Sequence, residues 1–247
     1  MYFAVLLTVC AVLGCLLPGP LIAGPLEDGQ AAFARADYVT ALEKWKPLAE
    51  QGNAVAQFSL GLMYAEGRGV SQDETAALKW YGWAASLGYA PAQLHLALMY
   101  EKGPASIRHL SRAMKWYRRA AEQGNASAQT TLGLIYDKGQ GVPQNDWQAL
   151  KWYELAAEQG VIVAQNNLGQ VYERGRSVPR DYLQAYKWYS LAAAAGHTEA
   201  ARNRDTVQTK MTPNQLILAN KLATDWTEAK SLQKAVKCQA MQLTGCN

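Results

Sequence analysis

The chain has few of the residues that usually carry catalysis or bind metals. Its 247 residues include only three histidines, His95, His109 and His197. No two of them are separated by the three residues typical of a metal-binding pair, and none lies beside a cysteine. Ser59 and Ser111 have no base partner nearby in the sequence. The sequence therefore favours a protein without catalytic residues, metal or cofactor.

Charge is also sparse. The formal net charge is only +4, and the basic residues are scattered rather than grouped in a block that would suit nucleic acid. Residues 1–26 contain no charged side chain, and Tyr2 to Leu17 is almost wholly apolar. This run is shorter than the about 20 residues of a membrane span but fits the core of a signal peptide.

The small residues Ala23-Gly24 suggest a cleavage point, so residues 1–23 are predicted to be a signal peptide and the protein to be exported, in a bacterium to the periplasm. Two alternatives stay open. The segment could be retained as an anchor, or Cys15 of Val12-Leu13-Gly14-Cys15 could be lipidated. Membrane association is expected only in those two cases.

Cysteine is scarce once this segment is set aside. Cys10 and Cys15 lie inside it, which leaves Cys238 and Cys246. In an oxidising compartment, two cysteines eight residues apart predict one short-loop disulfide. The alternative is a pair of free thiols in a mobile tail.

What the sequence does have is a repeat of 36 residues, present four times. A fixed period of this length indicates a solenoid of stacked units. Three landmarks recur in register: the Ala-Gln pairs at 56–57, 92–93, 128–129 and 164–165, the Trp-Tyr pairs at 80–81, 116–117, 152–153 and 188–189, and the glycines Gly88, Gly124, Gly160 and Gly196.

Each repeat contains two helical patterns joined by a glycine-bearing loop. In the third repeat, Asn145 is a suitable N-cap for the second helix and Gly160 for its end. The second repeat has Gly103-Pro104 in its loop and His109 at the cap, which predicts a differently shaped loop. The Trp-Tyr pairs have the spacing of a core, whereas Trp83 and Trp147 lie outside the pattern.

The ends differ from the repeats. We predict a capping hairpin at 27–53, four repeats at 54–197, capping helices at 198–227 and a tail at 228–247 that is rich in lysine. Thr212 and Pro213 have the character of a helix start. The tail lysines are expected to be solvated, with contact to anionic lipid or cell-wall polymer as the less favoured alternative.

The repeat resembles the Sel-one-like repeats of the tetratricopeptide-like superfamily. The matching residues in the third copy are Ala128, Leu132-Gly133, Tyr136, Gly139 to Val142, Ala149, Trp152-Tyr153, Ala156-Ala157 and Gly160. The resemblance implies an all-α fold, a right-handed α-solenoid of stacked antiparallel helix pairs. It also implies scaffold roles and a concave groove lined by first helices.

Carried onto this chain, the groove positions run from apolar to polar along the repeats. They are Val55, Phe58 and Leu62, then Leu94, Leu98 and Glu101, then Thr130, Leu134 and Asp137, then Asn166, Gln170 and Glu173. Glu101, Asp137 and Glu173 are each followed by a base, which predicts exposed rows of alternating charge. Alternatively, Phe58 and Leu94 pack on the N-terminal cap and bind nothing.

These observations favour a non-catalytic scaffold that binds a protein or peptide along its concave face. Three alternatives remain: an envelope-associated hydrolase, a cell-wall-binding protein, or a lipid-tethered structural protein.

Overall fold

The computed structural model describes residues 24–176 and 178–243, and every regular element in these ranges is a helix. The predicted signal peptide and Cys246 lie outside them. The helices are α1 (Pro25–Ala34), α2 (Tyr38–Glu50), α3 (Ala54–Glu66), α4 (Glu74–Ser86), α5 (Ala90–Lys102), α6 (Leu110–Glu122), α7 (Ala126–Lys138), α8 (Asp146–Glu158), α9 (Ile162–Arg174), α10 (Tyr182–Ala194), α11 (Thr198–Gln208) and α12 (Pro213–Leu243).

The chain divides into two compact units, Met1–Trp83 and Ala84–Asn247. In the first unit, α1 packs on α2 and α2 packs on α3. In the second, the pairs α5–α6, α7–α8 and α9–α10 are joined by further packing of α6 on α7 and of α8 on α9. Each pair thus covers the apolar stripe of the next, as a repeat array requires. The predicted fold class of stacked helix pairs is confirmed.

A close approach between the two helices of a repeat explains the glycine beside the recurring leucine. A Cβ atom built on Gly133 of α7 would lie 2.4 Å from Cδ1 of Tyr153 on α8. Carbon atoms normally approach no closer than about 3.5 Å, so a side chain at position 133 would require Tyr153 or the helix to move, whereas the second repeat accommodates Ala97 at the equivalent position. Gly169 and Tyr189 repeat the arrangement, with a corresponding distance of 2.6 Å to Cε1.

The tryptophans divide as the sequence predicts. Trp152 and Trp188 are buried, and Trp80 and Trp116 are half-buried against the cores of their own units. By contrast, Trp83 and Trp147 are exposed. The Trp-Tyr pairs therefore serve packing, because large aromatic rings fill the space between successive helices.

The loop of the second repeat differs from the others, as predicted. Helix α7 ends at Gly139 in the left-handed conformation, with φ 67°. Helix α5 instead ends at Gly103 with an extended backbone, φ −67° and ψ −179°. Pro104 explains the change, since a residue before proline is pushed out of the helical region.

Helix α12 begins at the predicted cap but extends further than predicted. The Thr212 hydroxyl accepts a hydrogen bond from the Gln215 amide at 3.3 Å, and the Gln215 side chain accepts one from the Thr212 amide at 2.8 Å. The helix crosses the predicted boundary at 227/228 and runs on to Leu243. The reason is that residues 228–243 contain neither glycine nor proline.

Cys238 lies exposed on this last part of α12. Its bridge to Cys246 stays a prediction. No helix in residues 24–176 and 178–243 combines the length and the apolar character needed to cross a bilayer.

Candidate binding surface

The first helix of each repeat carries the predicted binding residues. In the N-terminal unit these are Val55, Phe58 and Leu62 on α3, and all three are half-buried. The ring of Phe58 lies 5.6 Å from the ring of Tyr81, tilted by 40°. Phe58 therefore contributes to the packing of α3 on α4, since aromatic rings attract each other at such distances.

In the C-terminal unit, the apolar positions differ in exposure. Leu94 and Leu98 of α5 are half-buried against the core that surrounds Leu132. Leu134 of α7 is 38% exposed and Val163 of α9 is 49% exposed. We call these four residues on α5, α7 and α9 the first-helix face. Thr130 of α7 is also half-buried. Its hydroxyl donates a hydrogen bond to the Ala126 carbonyl at 2.8 Å.

The three acidic residues of the predicted charge rows are bound to tyrosines or to bases. The Tyr117 hydroxyl donates to Glu101 at 2.5 Å, and the Tyr189 hydroxyl donates to Glu173 at 2.9 Å. In both cases the tyrosine belongs to the Trp-Tyr pair of the same repeat. These acids therefore tie the two helices of a repeat together.

The expectation that Asp137 is exposed is wrong. Asp137 is only 3% exposed and forms an ion pair with Arg174 at 2.7 Å. Glu173 forms the equivalent pair with Lys210 at 2.8 Å. Each base lies about one repeat further along the chain than its acid: Arg174 is the last residue of α9 and Lys210 follows α11, so these pairs join each first helix to the end of the next one. A buried pair depends strongly on both partners, because loss of one leaves the other charge uncompensated.

Asn166 and Gln170 are also engaged within the protein. The Asn203 side chain donates to Asn166 at 3.2 Å, and the Gln170 side chain donates to Glu199 at 3.1 Å. Asn166 is buried, so it cannot line an open groove as expected. The sequence could not show this, because Asn203 and Glu199 lie on α11, which lacks the landmarks of the repeat.

Burial also affects the tyrosines that contact the acids. It is the main cause that raises the pKa of Tyr117, Tyr153 and Tyr189 well above the ordinary value of 10.0. The hydrogen bond to Glu101 raises the pKa of Tyr117 further. The negative charge of Glu173 does the same for the pKa of Tyr189. These phenols stay neutral at physiological pH and remain hydrogen-bond donors.

The glutamine of the Ala-Gln pair has a role that the sequence analysis missed. The Gln129 side chain donates to the Ala121 carbonyl at 3.0 Å and accepts from the Gln159 side chain at 2.7 Å. Gln93 does the same with Ala85, at 3.2 Å, and with Gln123, at 2.8 Å. This buried amide adds a second donor to a carbonyl at the end of the preceding helix, which also accepts from the backbone amide of the glycine that follows the helix. The recurrence of this glutamine in every repeat was the sequence signal that could have revealed its structural role.

Two observations bear on chemistry. Within the described ranges, no group of three or more His, Cys, Asp and Glu side chains is placed to hold a metal ion. Ser111 does have a base nearby, which differs from the sequence analysis: its Oγ lies 3.0 Å from Nδ1 of His109. Both residues are exposed in the first turn of α6, where local contacts between side chains are common.

The stacked helix pairs, with first and second helices fixed by tyrosine, glutamine and glycine contacts, define an α-solenoid of the tetratricopeptide-like class. The Sel1 repeat matches four consecutive segments, 54–89, 90–125, 126–161 and 162–197. The chain therefore belongs to the Sel1 repeat family. No functionally curated protein matches it.

Solved structures agree with this assignment. The chain is similar to a Sel1 repeat protein from Oxalobacter formigenes, with 36% identity, a TM-score of 0.67, and coverage of 70% of this chain and 71% of the other. It is also similar to a protective antigen with an SLR fold from uropathogenic Escherichia coli, with 29% identity and a TM-score of 0.52. That match covers 88% of this chain but only 55% of the other. Sel1 repeat proteins are generally scaffolds that bind proteins, and are typically not enzymes.

Proposed function

We propose that the protein is a non-catalytic scaffold that binds a protein or peptide on the first-helix face of the C-terminal unit. One observation carries the proposal. Leu134 and Val163 are exposed on neighbouring first helices, whereas the polar side chains beside them are paired within the protein. Apolar contact is therefore what this face has to offer a partner.

The chemistry of the face suits a partner with an apolar stripe. Leu134 and Val163 present branched aliphatic side chains, and burial of such surface contributes about 25 cal/mol for each Å² removed from water. An amphipathic helix presents its apolar residues every three or four positions and can lay them against such a face. The carboxylate of Glu101, which is half-buried, can orient a basic group of the partner at the edge.

The test is site-specific crosslinking in cells that express the full chain. A photoreactive amino acid is placed at Leu134, and at Leu155 as a control. Leu155 is 43% exposed but lies on the second helix α8. We expect a discrete crosslinked protein from position 134 only, and loss of that protein when Val163 is changed to Asp. Equal products from both positions, or no effect of Val163→Asp, would contradict the proposal.

The hydrolase alternative is tested on the same preparations. Turnover of cell-wall material that is lost in the Asp137→Ala variant, with helicity unchanged by circular dichroism, would support an enzyme instead.

Export is part of our proposal and rests on the uncharged apolar residues 1–26. Mass spectrometry of the mature N-terminus is expected to find a free end near Gly24, whereas an acylated Cys15 would support the lipid-tethered alternative.

A further inference from the structure

The last part of α12 extends beyond the contacts that tie this helix to the C-terminal unit. Up to Trp226 and Lys230 the helix is tied to the C-terminal unit. The Trp226 ring lies 5.9 Å from the ring of Trp188, its indole N–H donates to Glu158 at 3.1 Å, and Lys230 forms an ion pair with the same carboxylate at 3.1 Å. All residues from 231 to 240 are exposed. At 1.5 Å for each residue, the α12 extension (residues 231–243) is about 20 Å long.

The α12 extension has an apolar stripe that residues 24–176 and 178–240 leave exposed. Leu232 is 67% exposed and Val236 is 66% exposed, and their spacing of four residues places them on one side of the helix. Ile217 of the same helix is equally exposed, at 69%, but Leu232 and Val236 lie on the part of α12 where all residues from 231 to 240 are exposed. An unpartnered stripe on a projecting helix indicates a contact with something outside the chain.

Charge decides what that contact is. Lys234 and Lys237 are exposed on another side of the same helix, and the sequence from Ala229 to Asn247 contains three lysines and no acidic residue. Since Lys230 is paired with Glu158, the α12 extension itself carries two lysines, Lys234 and Lys237, and no acidic residue. The uncharged residues 1–23 would offer these lysines no counter-charge, whereas the phosphates of an anionic lipid surface would.

We propose that the α12 extension docks on a bilayer surface that contains anionic lipid. A helix with aliphatic residues on one side and lysines on the other lies in the interface, with the aliphatic side chains below the headgroups. The long lysine side chains reach the lipid phosphates from the helix backbone. Such binding is reversible, and it would hold the first-helix face near a membrane.

The experiment is co-sedimentation of the full chain with phosphatidylcholine vesicles that contain about 25% phosphatidylglycerol, or none. We expect binding to the anionic vesicles, no binding to the neutral ones, and a strong decrease between about 0.05 M and about 0.5 M salt. Lys234→Gln with Lys237→Gln should weaken binding about 20- to 30-fold. Leu232→Gln with Val236→Gln should also weaken it, with helicity preserved because glutamine is a good helix former.

A matched control separates local from net charge. Lys138→Gln with Lys221→Gln removes the same two charges from exposed sites outside the extension, and should change binding by less than about twofold. Equal effects of the two pairs would overturn the proposal. So would equal binding to neutral vesicles, which would point to the apolar N-terminus. A dimer in light scattering that is lost on changing Leu232 and Val236 would show that a second copy covers the stripe, and would overturn it too.

Discussion

The close approach of α7 and α8 at Gly133 makes a quantitative prediction. In Gly133→Ala, the new Cβ would start 2.4 Å from Cδ1 and 2.5 Å from Cε1 of Tyr153. To reach an ordinary contact distance of about 3.5 Å, the ring or the helix must move by about 1.1 Å. Tyr153 is fully buried, so the ring cannot relieve the contact by turning into solvent. Overpacking of this kind costs about 1–3 kcal/mol.

Helix propensity acts in the opposite direction. Replacing glycine by alanine inside a helix stabilises it by about 0.8–1 kcal/mol. We therefore expect a net loss of about 0–2 kcal/mol in the free energy of unfolding, or up to about 8 °C in Tm. Urea and thermal unfolding followed by circular dichroism measure both quantities.

Gly82→Ala is the matched control. Gly82 lies inside helix α4, and a Cβ there would meet no atom within 4 Å. This variant should be more stable than the natural protein by about 0.5–1 kcal/mol, because only the propensity changes. If Gly133→Ala were as stable as Gly82→Ala, the two helices would not pack at the distance described, and the account of the glycine–tyrosine contact would be refuted.

Three further predictions concern the same architecture. A double-mutant cycle on Gln129 and Gln159, each changed to Ala, should give a coupling of about 0.5–1.5 kcal/mol, since one partly buried hydrogen bond joins them; a coupling near zero would contradict the glutamine contact. Trp152→Ala should destabilise by about 3–5 kcal/mol, while Trp83→Ala, at an exposed site, should cost less than about 1 kcal/mol. The tyrosines of the Trp-Tyr pairs have raised pKa values, so their stabilisation is complete below pH 10.0 and is lost as the pH rises further. Ultraviolet titration of phenolate should show them ionising only as the protein unfolds, and ionisation near pH 10.0 with the fold intact would be the contrary result.

Much of the fold follows from the repeat itself. Four copies of the same landmarks fix the length of each helix pair, and no pair can bury its apolar stripe alone. The cap at Asn145, the altered loop at Gly103 and the start of α12 at Thr212 follow from residues with strong local preferences. Local chemistry of this kind is legible in the sequence because it acts within a few residues.

The binding surface was less predictable for a physical reason. Asp137 and Asn166 occupy positions that face outward in the pattern, yet both are buried. Their partners, Arg174 and Asn203, lie about one repeat further along the chain, and the pattern of one repeat does not contain the contacts made by the next. The length of α12, by contrast, could have been predicted from the sequence, because no glycine or proline in residues 228–243 interrupts the helix.

The sequence by itself determined the repeat, the helix pairs and the small residue at Gly133, because positions that are buried at a fixed period are also apolar or small at that period. Only the tertiary structure decided which side chains are available to a partner. It paired the polar residues of the first helices with each other, and it left Leu134, Val163 and the stripe on α12 exposed. Exposure depends on the neighbours that a fold brings together, and those neighbours lie too far apart in the chain for local patterns to record.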